Sequence, residues 1–150
     1  MSINAFLATL VVGKSPYAPG TAGSLLAALI AWPVAVHYGA WVLAPAGLIV
    51  GLIGIYFAGA YAKECGVEDP KSCIIDEVAG QWIALSVAPV TLLGFVVGFA
   101  MFRYFDIRKV WPVSAAERLP GGLGIIADDI LAGIMAAMAV FLFVQAGFVK

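Results

Sequence analysis

Charge is scarce in this sequence. Only 11% of its 150 residues are Asp, Glu, Lys or Arg, whereas about 25% are charged in an average soluble domain. Hydrophobic residues make up 63% of the chain, and the mean hydropathy is +1.04. A soluble chain of this length cannot bury so much apolar surface, so the sequence predicts an integral membrane protein. The net charge of −1 provides no basic field, and we expect no nucleic-acid partner.

Cysteine and histidine are almost as rare, and their scarcity excludes several enzyme classes. Cys65 and Cys73 form no CxxC pair, and together with the single histidine, His37, they do not make a zinc site. The arginine-containing loop of a cysteine phosphatase does not follow Cys73. A phosphohistidine mechanism needs several His and Arg residues that are not here, and the GxxxxGK[ST] loop of nucleotide-binding proteins is missing too.

Three runs without charge mark the membrane segments. Residues 15–62 contain no charged side chain, and their apolar character dips at "HYGAW", where a turn would divide the run into two helices. Residues 78–102 and 130–149 form the other two runs. Because a spanning helix needs about 20 apolar residues, we expect three or four crossings. The N-terminal "SINAFLATLVV" lacks the basic region of a signal peptide and is predicted to be an interfacial helix or a part of the fold.

The charged connectors favour a turn in the middle of the second run. If residues 78–102 form one straight span, the basic residues divide almost evenly between the two membrane faces. The positive-inside rule then does not determine the orientation of the protein. If the chain turns near Pro89, every connector charge falls on one face and only Lys150 on the other. We favour the turn, since proline breaks helices, and keep a proline-kinked single span as the alternative. The prediction is a single all-α domain, residues 1–150, with a compact bundle of about four to five membrane helices, two of them short, and a cytoplasmic charged face.

Two acidic motifs flank the second apolar run. In "CIIDEVAGQW", Asp76 and Glu77 precede an apolar helix, where a structural role as helix N-terminal acids would be ordinary. In "FRYFDIRKVWP", Arg103 and Asp106 share a helix face, which is also typical of a simple i,i+3 ion pair. A carboxylate between Arg103 and Lys109 suits a site for both a metal and a phosphate.

Two glycine-rich motifs complete the pattern. In "GGLGIIADDILAG", three glycines form a pliant approach to Asp128 and Asp129, which are predicted to begin a helix. One acid would suffice as a helix cap, and two adjacent like charges repel each other. Capping alone therefore does not explain the pair. In "GKSPYAPGTAGSLLA", Thr21 and Ser24 are able to cap the first membrane helix, and the glycine-rich turn can present amides to an anion.

Together these motifs predict a metal-assisted phosphate site. With the turn near Pro89, five carboxylates come to one face, where they would repel one another without a cation. A Mg²⁺ ion takes a few carboxylates together with water and phosphate oxygens, and could activate water for in-line attack. Arg103, Lys109 and Lys14 could neutralise the remaining phosphate charge. The predicted acidic residues are Asp76, Glu77, Asp106, Asp128 and Asp129.

Four motifs, in this order along the chain, resemble those of the phosphatidylglycerophosphatase A family: "APGTAGS", "DEVAG", "FRYFDIRKVWP" and "GGLGIIADDILAG". The resemblance implies a Mg²⁺-dependent phosphatase of the bacterial inner (cytoplasmic) membrane that converts phosphatidylglycerophosphate to phosphatidylglycerol and phosphate. The five acids would then be the catalytic and metal-binding residues, Arg103 and Lys109 would contact phosphate, and Thr21 and Ser24 would be weaker candidates for the same pocket. Val110 stands where the family usually has proline, so we expect a local difference in this loop.

A different function class stays open at this stage. A small membrane transporter or channel component could line a cation path with acids, although such acids would be expected at mid-membrane depth rather than at helix ends. The pattern of Gly94 and Gly98 permits helix packing within one chain or between copies in a homo-oligomer. The predicted partners are therefore a phosphorylated glycerophospholipid and the lipid bilayer.

Overall fold

A computed structural model describes residues 2–10 and 18–150, and within them the chain is helical, without a strand. A short 3-10 helix, Ala40–Val42, forms the predicted turn at "HYGAW", with Gly39 at a positive φ of 88°. The helices are α1 (Ile3–Thr9), α2 (Pro19–Tyr38), α3 (Leu43–Cys65), α4 (Ile75–Leu85), α5 (Leu92–Arg108), α6 (Val113–Ala116) and α7 (Gly122–Gln145).

The packing places small residues inside and large apolar residues outside. The inner face of α2 carries Gly23, Ala27, Ala31 and Ala35 at every fourth position. Its outer face carries large side chains, of which Leu29 is 63% exposed. In water this arrangement would be unfavourable, because large apolar side chains belong in the core of a soluble protein. In a bilayer it is the expected one, since lipid covers the outer face and small residues let helices approach closely.

Three helices of the described residues are long and apolar enough to cross a membrane. These segments are Pro19–Tyr38, Ala40–Cys65 and Gly122–Gln145. Helices α4 and α5 have 11 and 17 residues and are shorter than the usual span of about 20. The all-α prediction is confirmed for the described residues, and three helices of spanning length are compatible with a membrane protein. The number of four to five membrane helices stays a prediction.

Helices α4 and α5 form the hairpin expected around Pro89. Helix α4 ends at Leu85, and α5 begins after Thr91, whose hydroxyl accepts a hydrogen bond of 3.1 Å from the amide of Gly94. The antiparallel direction follows from two contacts: a Cβ added at Gly80 would meet Phe102, and one added at Gly98 would lie 2.7 Å from Leu85. A single straight span through this segment is therefore wrong, because the chain reverses at this turn.

Helices α4 and α7 cross at a point where only glycine fits. A Cβ added at Gly80 would overlap the carbonyl oxygen of Asp129, and one added at Gly133 would overlap the carbonyl oxygen of Gly80. Such close backbone approach is the packing mode of small residues in membrane helices. Both glycines follow an aspartate by four residues, so the crossing also brings Asp76 and Asp129 one turn away from the same point.

The N-terminal helix α1 belongs to the fold. Its buried Ala5 and Ala8 pack in one cluster with Ala58 of α3. Glu64 accepts hydrogen bonds from the Ser2 hydroxyl at 2.5 Å and from the Asn4 amide at 2.6 Å. These contacts tie α1 to the end of α3 that carries the connector charges. The last two residues of the predicted N-terminal segment lie outside the described residues.

The hairpin predicts that its turn and the α3–α4 connector react from opposite sides of the membrane. Cys65 is exposed and Cys73 is buried, so an impermeant thiol reagent should label the natural protein at Cys65 from one side. In a Cys65→Ser background, Leu92→Cys should be labelled from the other side, since Leu92 is 76% exposed and neighbouring Thr91 donates a hydrogen bond to the carbonyl of charged Lys150. Oriented membrane vesicles provide the measurement. Labelling of both thiols from the same side would contradict the topology.

The crossing of α4 and α7 predicts a large effect of a single methyl group. Gly80→Ala should lower the free energy of unfolding by about 1–3 kcal/mol, the usual effect of overpacking, because the backbones cannot separate without disturbing both helices. Unfolding in detergent measures the change. Ala100→Val, on an exposed position of α5, adds bulk without such a contact and should leave stability nearly unaltered. Equal stability of both variants would refute the crossing as a close-packed contact.

Candidate functional site

The five predicted acids come together at one end of the bundle. Two of them lie in the first turn of α4, one in the last turn of α5, and two in α7. They line a pocket of about 300 Å³ together with Arg103 and Lys109. The predicted acids that line the pocket are Asp76, Glu77, Asp106, Asp128 and Asp129. The geometry thus unites the sequence-predicted set, whose catalytic roles stay predictions.

One detail of the predicted acidic pair in α7 is wrong. Asp128 and Asp129 do not begin the helix, because α7 already begins at Gly122. A Cβ added at Gly122 would overlap the carbonyl oxygen of Ile55, so this glycine packs as part of the helix against α3. The two aspartates consequently lie in the second turn of α7, where neither can cap the helix N-terminus.

Most of these carboxylates are buried. Asp128 and Asp129 are 3% and 4% exposed, and Asp76 and Glu77 are each 9% exposed. Asp76 accepts a hydrogen bond of 3.0 Å from the amide of Glu77, and Asp128 one of 2.9 Å from the amide of Asp129. Burying a charged carboxylate is unfavourable by several kcal/mol unless it is paired. Burial raises the pKa of Asp76 and Glu77, so these carboxylates stay ionised only where a further cation compensates their charge.

Arg103 is the cation at the centre of the pocket. Its Nη1 forms an ion pair with Asp106 and lies 3.8 Å from Oε1 of Glu77. The two Nη atoms each lie 3.4 Å from a hydroxyl of α2, Nη1 from Ser24 and Nη2 from Thr21. The Nε atom of Arg103 is buried without a hydrogen-bond partner among the described residues. The predicted i,i+3 pair of Arg103 and Asp106 is confirmed, and one guanidinium donor stays available for a further acceptor.

Lys109 holds the opposite side of the pocket. It forms an ion pair with Asp128 and lies 3.3 Å from Oε1 of Glu117. Partial burial by itself would lower the pKa of Lys109, but the hydrogen bond and charge of Asp128 outweigh it and raise the pKa. Lys109 is therefore protonated and already neutralises Asp128. Glu117 was not singled out by the sequence, since it lies beyond the motif that contains Lys109.

The start of α2 is shaped to accept Glu77. A Cβ added at Gly20 would overlap Oε1 of Glu77, and one added at Gly23 would lie 2.7 Å from its Oε2. Thr21 and Ser24 do not cap α2, because the N-cap is Ala18 and Pro19 takes the first helical position. Instead, both hydroxyls lie within the helix and face Arg103. Lys14, the third predicted cation, lies outside the described residues.

Several buried polar atoms have no partner in the described part of the chain. They include Oε2 of Glu77, Oδ2 of Asp129 and both amide atoms of Gln81. Gln81 lies one turn after Glu77 and was missed by the sequence analysis, although it is the only amide in the uncharged run 78–102. Asp69 also lines the pocket and was missed. Partial burial raises the pKa of the Asp69 carboxyl, and the charges of Glu117 and Asp106 add to this effect.

The donor set fits a hard divalent cation. Six carboxylates line this pocket against three basic side chains, Lys71, Arg103 and Lys109. Two carboxylate oxygens, on Glu77 and Asp129, are buried without partners among the described residues. Carboxylate oxygens are the ligands that Mg²⁺ prefers. Among the described residues, however, no three acidic, His or Cys side chains already converge as a metal site. A cation would have to draw the carboxylates of α4 and α7 closer together.

Arg and Lys side chains suit the recognition of phosphate, and clustered carboxylates suit a divalent cation that assists phosphoryl chemistry. The family model for phosphatidylglycerophosphatase A matches residues 5–144, and the chain belongs to the phosphatidylglycerophosphatase A family. It is therefore a phosphatase, a phosphoric monoester hydrolase. This membership confirms the resemblance on which the sequence analysis relied.

Three curated relatives show the similarity in detail. The chain is 40% identical to phosphatidylglycerophosphatase A of Escherichia coli K12, over 83% of this chain and 73% of the relative. It is 34% identical to the Haemophilus influenzae protein of the same name, over 83% of this chain and 77% of the relative. A Bacteroides thetaiotaomicron protein, provisionally named phosphatidylinositol-3-phosphatase, is 38% identical over 81% of this chain and 80% of the relative. No solved structure matches the chain.

The contacts of Arg103 predict that its guanidinium cannot be replaced by an ammonium group. Arg103→Lys keeps the charge but cannot reach Asp106 and two hydroxyls together. We expect the rate of phosphate release at low substrate to fall by about 10- to 100-fold, as for the loss of one or two charge-assisted hydrogen bonds. Arg108→Lys, at an exposed position at the end of the same helix, is the matched control and should behave like the natural protein. Equal rates for both variants would show that the guanidinium geometry is not used.

Proposed function

We propose that the protein hydrolyses phosphatidylglycerophosphate to phosphatidylglycerol and inorganic phosphate in a Mg²⁺-dependent reaction of phospholipid biosynthesis. The observation that carries this proposal is the excess of buried carboxylates over cations in a pocket at the helix ends of a phosphatidylglycerophosphatase A family member. Two relatives carry the name of this activity. A lipid substrate agrees with a pocket that opens where apolar helices end.

The residues that would hold Mg²⁺ are the acids of α4 and α7 with Asp106 beside them. The unpartnered oxygens of Glu77 and Asp129 support this assignment, because a buried carboxylate oxygen without a donor is unfavourable unless a ligand binds it. When bound, the ion would polarise the phosphoryl group and lower the pKa of a coordinated water molecule. Asp76, next to Glu77, and Asp128, next to Asp129, complete the set of proposed metal ligands.

The residues of the chain would orient the phosphate and move its protons. Arg103 has a free Nε donor for a phosphate oxygen, and Thr21 and Ser24 hold its two Nη atoms from the other side. Lys109 balances Asp128 and Glu117 at the rim. A water oxygen would form the new bond to phosphorus while the ester bond to the glycerol oxygen breaks. A site carboxylate would take the proton of that water and pass it to the departing glycerol oxygen, so that the carboxylate returns to its ionised form.

The membrane location is part of the proposal. We place the pocket at the cytoplasmic face of the bacterial inner membrane, since all connector charges except Lys150 belong to this end of the bundle. A transporter or channel is not favoured, because the acids lie near helix ends and meet a neighbouring Arg and Lys rather than lining a path across the bilayer. Family membership points in the same direction.

The central experiment measures phosphate release from phosphatidylglycerophosphate by the purified protein in detergent, with Mg²⁺ and with a chelator. We expect release only with the metal, and a higher kcat/KM for this lipid than for phosphatidylinositol 3-phosphate. Release that is independent of metal would overturn the proposed mechanism. A preference for the inositol lipid would replace the proposed substrate.

Asp129→Asn tests whether the buried Asp129 carboxylate, which has an unpartnered oxygen among the described residues, binds the metal. We expect kcat to fall by about 100-fold or more, while thermal stability without metal rises, because an unpaired buried charge is removed. Mg²⁺ should raise the melting temperature of the natural protein but not of the variant, as ligand linkage requires. Glu64→Gln is the control acid, since Glu64 is exposed and, in the described part of the chain, accepts hydrogen bonds from Ser2 and Asn4, away from the pocket. Near-normal turnover of Asp129→Asn would remove this residue from the site.

A further inference from the structure

One acid of the pocket differs from the others in its exposure. Asp69 belongs to the connector between α3 and α4, lines the acidic pocket and is exposed. The acids at the start of α4 and in α7 are buried, and Asp106 is half-buried. Asp69 also lines, together with Asp128, a larger cavity of about 1080 Å³ that adjoins the pocket. Asp69 therefore lies where the acidic pocket opens.

The carboxyl of Asp69 is not engaged by the rest of the described chain. Asp106 forms an ion pair with Arg103, and Asp128 forms one with Lys109. No ion pair or hydrogen bond to another described residue involves the carboxyl of Asp69. The concave wall still encloses part of this group, and this partial burial raises its pKa although the charge of Lys109 opposes the effect. The carboxyl thus accepts a proton more readily than an ordinary surface aspartate.

The connector holds Asp69 in place. Pro70 follows it directly, and the amide of Cys73 donates a hydrogen bond of 2.7 Å to the carbonyl oxygen of Pro70. The hydroxyls of Tyr61 and Ser72 lie 2.7 Å apart and tie the connector to α3. A group that transfers a proton must lie within hydrogen-bond reach of the atom it serves. These contacts fix the backbone that carries Asp69 and so meet this requirement.

The size of the acidic pocket decides which part of a lipid comes close to Asp69. The pocket measures about 300 Å³, which is the lower limit for sites that enclose drug-sized molecules, about 300–1,000 Å³. It is too small for a lipid with two acyl chains and admits the terminal phosphate. With that phosphate bound among the buried acids and Arg103, the ester bond points towards the mouth. The ester oxygen of the glycerol group then lies on the side of Asp69.

We propose that Asp69 is a catalytic residue, namely the carboxylate that passes a proton to the glycerol oxygen as the phosphate ester bond breaks. This inference rests on the proposed function. The water oxygen forms the new bond to phosphorus, and the proton that this water loses reaches the exposed Asp69 by way of solvent. Asp69 transfers a proton to the glycerol oxygen as the bond between phosphorus and that oxygen breaks. Asp69 begins and ends the cycle ionised, and the products are phosphatidylglycerol and inorganic phosphate.

A sulfur analogue of the substrate tests this role. When sulfur replaces the bridging ester oxygen of phosphatidylglycerophosphate, the leaving group is a thiolate, which departs without a proton because a thiol has a pKa of only about 8.5. For Asp69→Asn, we expect kcat to fall by about 100-fold with the oxygen substrate and by less than about fivefold with the sulfur analogue. Asp69 is exposed, so this isosteric change should preserve the fold. Mg²⁺ should still raise the melting temperature of the variant, since Asp69 is not among the proposed metal ligands.

Glu68→Gln is the matched control. Glu68 precedes Asp69 in the same connector, is exposed, and lines the larger cavity but not the acidic pocket, so both rates should stay nearly unaltered. An unchanged kcat of Asp69→Asn with the oxygen substrate, or equal losses with both substrates, would overturn the inference. Loss of the Mg²⁺-induced rise in melting temperature would also overturn it, because Asp69 would then be a metal ligand. Absence of phosphatidylglycerophosphate hydrolysis by the natural protein would instead overturn the proposed function, so the two failures are distinguishable.

Discussion

The backbone contact between α4 and α7 is the constraint on which the rest of the structure depends. Gly80 and Gly133 let the two helices touch through their carbonyl groups, and each glycine follows an aspartate of the pocket by one helical turn. In lipid, where no hydrophobic effect drives helices together, such close packing is the main source of association. The same contact that stabilises the bundle therefore sets the distance between the two acidic pairs.

Negative charge is the second constraint, and it makes the site and the membrane fold interdependent. The carboxylates at the start of α4 and in α7 are almost fully buried, and Arg103 and Lys109 compensate only part of their charge. Oxygens of Glu77 and Asp129 are buried without partners among the described residues, so the proposed cation would stabilise the bundle if it bound them. Under the proposed function, catalysis and stability would depend on the same carboxylates.

Much of the fold could be predicted because apolar runs and connector charges follow simple rules. The turn at Pro89 follows from the positive-inside rule, which favours connector charges on one face of the membrane. It also follows from the tendency of proline to break a helix. The start of α7 could not be predicted, since Gly122 looks like a loop residue until the carbonyl of Ile55 is seen against it. Thr21 and Ser24 likewise resemble caps in sequence, and only the position of Arg103 shows what they contact.

The sequence by itself determined that the chain is helical, with apolar segments long enough to cross a membrane, and it predicted an acidic site for phosphate, because composition and the order of four motifs are local properties of the chain. The family and the set of five acids follow from the same motifs. Tertiary structure alone decided that Gly20 and Gly23 make room for Glu77, that Lys109 is shared by Asp128 and Glu117, and that a larger cavity adjoins the acidic pocket. These features depend on contacts between residues far apart in the chain, and no local pattern specifies them.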